Sequence, residues 1–120
     1  MERLLTGKYG EQIAARFLEK QQYKILYCNY RFRHAEVDII CEKDNQLIIV
    51  EVKSRKNDYV QFPWEAVTPS KQKQMIKVAQ HYIENNDSDS ETRFDIVSIT
   101  FGAARPHIEH IQDAFSPTLS

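Results

Sequence analysis

Four charged residues stand inside two otherwise apolar segments of the stretch AEVDIICEKDNQLIIVEVKSRK, residues 35–56: Glu36, Asp38, Glu51 and Lys53. Charged side chains are rarely buried unless they are paired or bind a metal. Carboxylate oxygens suit Mg²⁺ or Mn²⁺, which usually bind one or two protein carboxylates together with water and phosphate oxygens. A lysine beside such acids can stabilise phosphate charge, so the four residues suit phosphodiester hydrolysis.

The spacing of these residues predicts that they meet across a hairpin. Asp44 and Asn45 tolerate left-handed backbone angles and are typical of a two-residue turn. With that turn, Asp38 lies opposite Glu51, the other two charged residues lie opposite each other, and all four lie on one face. Two opposed carboxylates destabilise a sheet by roughly 0.2–1 kcal/mol, a cost that a divalent cation would remove.

A structural ion-pair cluster is the alternative explanation for the same residues. Asp38 could pair with Arg31 or Arg33, and Glu36 with Lys53. A register shifted by one residue would also weaken the predicted cross-strand pairing. The spacing alone leaves both explanations open.

The flanking sequence supplies the elements that would position this hairpin. Periodicity and turn signals predict a helix over residues 6–22, a strand over 23–30, a basic connector over 31–34, a loop over 57–70, a helix that begins at Thr68 and Pro69, and two closing strands in RFDIVSITF and HIEHIQDAF. The order of helix, three strands, helix and two strands predicts an α/β (mixed α+β) fold, with a central mixed β-sheet flanked by α-helices. We expect a single domain over residues 1–120 with a polar tail from about residue 116.

The composition fits an ordinary globular domain. The chain has 120 residues, 42% of them hydrophobic, and a formal net charge of −1, which counts mildly against a broad basic surface. The N-terminus lacks an apolar signal-like run, and no segment has membrane-spanning length, so we expect a cytoplasmic protein without membrane contact. Cys28 and Cys41 lie in apolar segments and are predicted to be buried thiols.

Several blocks together resemble a known family. They are GKYGEQIAARFLEKQQYKILYCNYR, AEVDII, IIVEVKSR, EAVTPSKQKQMIKVAQHYI and RFDIVSI, which span Gly7 to Ile99. In this order they look like the YraN-like family of small bacterial proteins, within the restriction-endonuclease-like superfamily whose metal-binding pattern is written PD-(D/E)xK. The resemblance implies a restriction-endonuclease-like core.

The resemblance also implies roles for individual residues. Glu11, Asp38 and Glu51 match the metal-binding acids and Lys53 matches the catalytic lysine, while Glu36 matches a glutamate to which we assign a supporting role. The implied cofactor is Mg²⁺ or Mn²⁺. The sequence departs from the family pattern at Ala35 and Gln22, where glycine is common.

The leading hypothesis is a metal-dependent nuclease that acts on DNA rather than RNA, on branched or single-stranded structures in recombination or repair. One alternative is a nucleic-acid-binding module with the nuclease fold and little activity, and another is a purely structural interaction protein. The small size favours a homodimer or a recombination or repair protein as partner.

Further residues are candidates for contacts around the site. The basic residues that could bind phosphates are Arg31, Arg33, Arg55, Lys56, Lys71, Lys73 and Lys77. The aromatic residues Tyr59, Phe62 and Trp64 could stack on bases, although packing of their loop is the simpler use. His107 and His110 are predicted to point to opposite faces of a strand, which argues against joint metal binding. Asp95 could form a salt bridge or take a reactive role.

Overall fold

The computed structural model describes residues 2–56, 67–102 and 104–116. Its elements, in chain order, are α1 (Glu2–Lys20), β1 (Lys24–Phe32), β2 (Ala35–Lys43), β3 (Gln46–Lys56), α2 (Pro69–Asn86), β4 (Glu91–Phe101) and β5 (His107–Phe115). This order is the predicted one. The proposed stacking residues Tyr59, Phe62 and Trp64, most of the loop predicted over 57–70 and most of the predicted polar tail lie outside the described residues.

The five strands form one mixed sheet in the order β1-β2-β3-β4-β5. β3 and β4 are parallel, and the other neighbouring pairs are antiparallel. The chain between β3 and β4 contains α2, as a parallel pair requires a crossover connection. This α/β architecture fits a restriction-endonuclease-like core and confirms the predicted fold class.

Each face of the sheet is covered by one helix. Ala14 and Leu18 of α1 pack with Ile39, Ile48 and other buried residues on the first face. On the second face α2 forms the corresponding core with β2, β3 and β4, through the residues Met75, Val78, Ala79, Ile40, Ile49, Phe94 and Ile96. The central strands are therefore buried on both sides, which explains their nearly continuous apolar sequence. No helix in the described part of the chain is both long and apolar enough to cross a membrane.

Local sequence signals explain the turn between β2 and β3 and the start of α2. Asp44 and Asn45 have φ angles of 51° and 64°, as expected for a tight hairpin turn. Thr68 caps α2 by accepting a hydrogen bond from the backbone N–H of Lys71 at 3.2 Å, and Pro69 is in the first turn. Both predictions are confirmed.

The predicted connector over residues 31–34 is shorter than expected. Arg31 pairs with Glu36 and Phe32 with Ala35, so β1 continues to Phe32. Arg33, with a φ of 57°, begins a two-residue turn. The prediction that both cysteines are buried was also wrong, because Cys28 is exposed on the edge strand β1, whereas Cys41 is buried.

The two departures from the family pattern have different structural consequences. Gln22 follows α1 with a φ of 73°, and the N–H of Tyr23 donates to the Leu18 carbonyl at 3.0 Å. This is the left-handed helix end that usually favours glycine. Ala35 begins β2 opposite Phe32 and is not among the residues with positive φ, so its position needs no glycine.

Candidate functional site

The acidic site lies where β2 and β3 separate. Their pairing runs from Lys43 opposite Gln46 to Ile39 opposite Val50, the register that the turn predicts. Beyond that point the Asp38 carboxylate accepts a hydrogen bond from the Val52 N–H at 2.7 Å. The Asp38 side chain thus accepts the hydrogen bond of a β3 backbone N–H group, and the backbone pairing between β2 and β3 ends there.

This separation changes two expectations about Glu36. The described pairs between β2 and β3 do not include Glu36 with Lys53, and Glu36 pairs with Arg31 of β1 instead. The Arg31 guanidinium is 3.5 Å from the Glu36 carboxylate, an exposed ion pair of small energetic weight. The structural alternative allowed an ion pair of Asp38 with Arg31 or Arg33 and one of Glu36 with Lys53, and none of these pairs is among the described contacts.

The predicted common face for all four charged residues was wrong, because side-chain alternation breaks near Asp38. Val37 packs in the core under α2, whereas Ile39 packs in the core under α1. Asp38 and Glu36 line a cavity beside α1. Glu51 lies beside Ile96, a residue of the core under α2. The charged groups therefore approach one another from two faces, at the point where the pairing of β2 with β3 stops.

Glu51 is the most deeply buried acid of the site, with 6% of its surface exposed. Burial, followed by the charge of Asp38 and a hydrogen bond with it, raises the pKa of Glu51 to about 8. Two lysines oppose this shift: Lys53 Nζ lies 3.6 Å from Glu51 Oε2, and Lys71 Nζ lies 3.9 Å from Glu51 Oε1. Both distances exceed the roughly 2.7–2.9 Å of a charge-assisted hydrogen bond.

Lys71 is a component of the site that sequence reasoning assigned only to phosphate contact. Its ammonium group donates to the backbone carbonyl of Glu36 at 3.0 Å and also faces Glu51. The sequence indicates part of this arrangement, because the cap at Thr68 places Lys71 in the first turn of α2. The position of that turn beside Glu51 is a tertiary feature.

Glu11 reaches the site from α1, as the family resemblance implied. Its pKa is raised by burial, then by the negative charges of Asp38 and Glu36, while a hydrogen bond from Asn29 and the charge of Lys8 lower it. Glu11 is therefore close enough to the other acids for their charges to interact.

The preceding glycine sets the approach of α1 to the sheet. A Cβ atom at Gly10 would clash with Ser54 Oγ and would lie 3.3 Å from Ser54 Cβ. The absence of a side chain at Gly10 thus allows α1 to approach β3 and places Glu11 beside the acids.

The donor set fits one hard divalent cation. Among the residues that the structure describes, no three His, Cys, Asp or Glu side chains converge as a ready metal site. Mg²⁺ and Mn²⁺, however, usually take only one or two protein carboxylates, and Asp38 and Glu51 supply two that already interact. Glu11, predicted as a third ligand, lies near this pair without completing a three-ligand group.

The other predicted basic residues surround the site unevenly. Arg55 donates to Ser98 Oγ at 3.1 Å and is half-buried, and the Arg33 guanidinium lies 5.2 Å from the centre of the Phe32 ring. The remaining three, Lys56, Lys73 and Lys77, are exposed. Lys53 and Lys71 are the predicted basic residues with described ion pairs to Glu51.

A second buried charge cluster surrounds Asp95 of β4, which lies beside Val50 of β3. Its carboxylate accepts hydrogen bonds from Arg93 at 2.8 and 2.9 Å, from His110 at 2.7 Å when that nitrogen is protonated, and from the Asp113 N–H at 3.0 Å. His107 is exposed, so the two histidines have different environments. The salt-bridge interpretation of Asp95 is the one that the contacts support.

Sequence comparisons identify the family. The model of Uncharacterised protein family UPF0102 matches residues 10–99. UPF0102 proteins from Christiangramia forsetii and Clostridium beijerinckii are 45% and 43% identical, over 91% of this chain and 92% and 91% of their own lengths. The UPF0102 protein BF0634 of Bacteroides fragilis is 41% identical over 98% of both chains. The chain therefore belongs to the UPF0102 family, which is the YraN-like family that its sequence blocks resemble.

Proposed function

We propose that this protein is a divalent-metal-dependent nuclease that hydrolyses phosphodiester bonds in DNA. One observation carries the proposal: Glu51 is buried beside Asp38, and burial together with the charge of Asp38 raises the pKa of Glu51 to about 8, although two lysines lie 3.6 and 3.9 Å away. A cluster that served only stability would be expected to balance its buried charges.

A divalent cation beside the acid pair would favour the ionised form of Glu51 and offset the repulsion between the two carboxylates. Asp38 and Glu51 would hold it, and Glu11 lies near enough to contribute from α1. Such a cation, when bound, stabilises negative charge on a phosphate and favours attack by water. The proposal therefore assigns the same cation to two tasks, relief of the acid pair and activation of the substrate.

The basic residues near the acid pair have separate roles in the proposed reaction. Lys53, 3.6 Å from Glu51, can donate to a phosphate oxygen held beside the acids and stabilise its developing charge. Lys71 orients Glu51 and joins α2 to the Glu36 carbonyl of β2. The exposed basic residues would contact the flanking phosphates, which position a nucleic acid without reading its sequence.

A binding module with the same fold is the second candidate. The observation that favours it is that, within the described residues, the acids do not converge as three ligands. We also propose that the protein acts as a homodimer, or with a recombination or repair protein as partner in the cytoplasm.

The decisive experiment compares matched variants on labelled linear, single-stranded and branched DNA, with Mg²⁺, Mn²⁺ or EDTA. Asp38→Asn removes one charge of the acid pair, and Asp44→Asn makes the same change in the exposed β2–β3 turn. Lys53→Ala is matched by Lys20→Ala at the exposed end of α1. We expect Asp38→Asn and Lys53→Ala to lose cleavage by at least about 100-fold, and both controls to keep it.

Cleavage in EDTA, or cleavage by Asp38→Asn at the rate of Asp44→Asn, would contradict the proposal. Binding of DNA by the wild type without cleavage under any of these conditions would favour the binding module. An RNA substrate of the same sequence tests the preference for DNA, since equal cleavage of RNA would remove that part of the proposal.

A further inference from the structure

A cavity of about 540 Å³ lies between the first half of α1 and the strands β1 and β2. This volume is within the range of about 300–1,000 Å³ that is common for sites of small organic groups. Asp38 links the cavity to the acidic site, because it lines the cavity and also interacts with Glu51. A group in the cavity would therefore lie beside Asp38, one of the two acids proposed to hold the cation.

The cavity walls carry different chemistry at different places. Asp38, Glu36 and Glu11 form the acidic part, while Gln12 and Asn29 provide amide groups that can both donate and accept hydrogen bonds. The lining also includes the apolar side chains of Ala15 and Ile39 and the positive charge of Lys8. Apolar surface together with bidirectional amides matches a planar nucleobase, which has apolar faces and a polar edge.

The charges indicate how a nucleotide would be oriented. Three carboxylates line the cavity, so a phosphate group is unsuited to its acidic part. Lys53 and Lys71 lie beside Glu51 and are not among the residues that line the cavity. The phosphate would therefore lie beside these lysines, and the attached base would enter the cavity past Asp38.

From this arrangement, and on the basis of the proposed nuclease function, we propose that the cavity holds one unpaired nucleotide next to the phosphodiester bond to be cut. A base inside a duplex is stacked on both faces and paired along its edge, so it must leave the helix before it can enter a recess. That step costs least where the base is already unpaired. The cavity thus selects bulges, single strands and branch points over continuous duplex.

The test measures binding without cleavage, with Ca²⁺ as the cation. Fluorescence anisotropy gives dissociation constants for a continuous DNA duplex and for the same duplex with one unpaired, bulged nucleotide. Ala15→Leu fills the cavity, Gln12→Leu removes an amide from its wall, and Gln21→Leu makes the latter change at an exposed position beyond the end of α1. Thermal unfolding confirms that each variant is folded.

We expect the wild type and Gln21→Leu to prefer the bulged duplex by about tenfold, and both cavity variants to lose most of that preference. Their affinity for the continuous duplex should be unchanged. Equal binding of the two duplexes by the wild type would overturn the inference while leaving the nuclease proposal intact. A preference that survives in both cavity variants would also overturn it. Failure of the wild type to bind either DNA would remove the proposed function and, with it, this inference.

Discussion

Two buried carboxylates in the same sheet have opposite electrostatic environments. Asp95 is fully buried, and although burial alone would raise its pKa, hydrogen bonds from His110, Arg93 and Asp113 lower it below the ordinary value. Glu51 is almost as buried, but burial and the neighbouring Asp38 raise its pKa to about 8 despite two lysines. The contacts around Asp95 therefore stabilise its ionised form, whereas the surroundings of Glu51 favour its protonated form.

The difference is one of geometry as well as of charge. The Arg93 guanidinium donates two hydrogen bonds to Asp95, from Nε at 2.9 Å and from Nη2 at 2.8 Å. Nη2 also donates to the Tyr23 hydroxyl at 2.8 Å, and Nη1 donates to Gln46 Oε1 at 3.2 Å. The lysines near Glu51 remain 3.6 and 3.9 Å away. A planar guanidinium can donate two parallel hydrogen bonds to the two oxygens of one carboxylate. The ammonium group of a lysine, on its flexible chain, lacks this bidentate geometry. Asp95 is therefore closely paired with Arg93, whereas Glu51 is only loosely paired with its two lysines.

The largest expected effect concerns the Asp95 cluster. Asp95→Asn leaves Arg93, whose side chain is only 15% exposed, without its carboxylate, and should lower the free energy of unfolding by about 3–5 kcal/mol. Urea unfolding measures this loss against Asp44→Asn. Cleavage per folded molecule should be unchanged. A loss below about 1 kcal/mol would show that Asp95 is not a structural centre.

The lowered pKa of Asp95 also predicts how the stability of the wild-type protein changes with pH. Because its pKa is lower in the folded state, its stabilising contribution is present above the ordinary aspartate pKa and disappears as the pH falls through the lowered value. Asp95→Asn should flatten the stability profile on the acid side. A profile identical to that of the wild type would contradict the assigned cause.

The next expected effect on the free energy of unfolding has the opposite sign, because a charged Glu51 destabilises the folded protein. Its folded pKa of about 8 is above the ordinary value of 4.5, so the metal-free protein should lose stability as the pH rises from about 4.5 to about 8. Glu51→Gln removes that loss and should raise the free energy of unfolding at pH 8 in EDTA, by an amount on the order of 3 kcal/mol. Thermal or urea unfolding across this range measures it.

Glu19→Gln on the exposed part of α1 is the matched control for this change. The control should follow the wild-type profile. If Glu51→Gln destabilises the protein as strongly as Asp95→Asn does, the two carboxylates are equivalent structural groups and the comparison fails.

The sequence alone predicts only part of the difference between the Asp95 cluster and the Glu51 site. The hairpin register was predictable because Asp44 and Asn45 dictate a local turn, and the register follows from its length. The sequence left the role of Asp95 open, because its hydrogen-bonding neighbours Arg93 and His110 contribute from two strands. Turn chemistry is local, whereas the balance of a buried charge depends on the whole sheet.

The sequence predicted which residues lie together at the acidic site better than it predicted how they are arranged. Asp38, Glu51 and Lys53 do lie together, but no periodicity rule indicates that the Asp38 side chain takes the Val52 N–H and ends the ladder. The role of Lys71 was missed for a related reason, because helical spacing fixes its position in α2 but not the strand that it faces. Side-chain hydrogen bonds that replace backbone pairing are outside what alternation can predict.

The smallest expected effect tests whether the acid-rich site depends on the close approach of α1. Gly10→Ala places a Cβ atom against Ser54, and the serine hydroxyl must turn away while its Cβ remains 3.3 Å distant. The crowding costs roughly 1–3 kcal/mol, and the better helix propensity of alanine returns about 0.5–1, so we expect a net loss of about 1 kcal/mol. The displacement of Glu11 should weaken cation binding as well, as measured by calorimetric titration with Mn²⁺.

A second-site change distinguishes this steric cause from a general weakening of α1. Ser54→Gly removes the atoms that the new Cβ would meet, so Gly10→Ala combined with Ser54→Gly should recover most of the lost Mn²⁺ affinity. Ser54→Ala, which removes only the hydroxyl, should recover less, because its Cβ atom is retained. Ala14→Gly lies one turn further along α1, at a buried position that is not among the residues lining the acidic cavity, and should lower stability without changing Mn²⁺ affinity. Equal Mn²⁺ affinity in Gly10→Ala and wild type would mean that Glu11 contributes nothing to the cation, and the site would then consist of Asp38 and Glu51 alone.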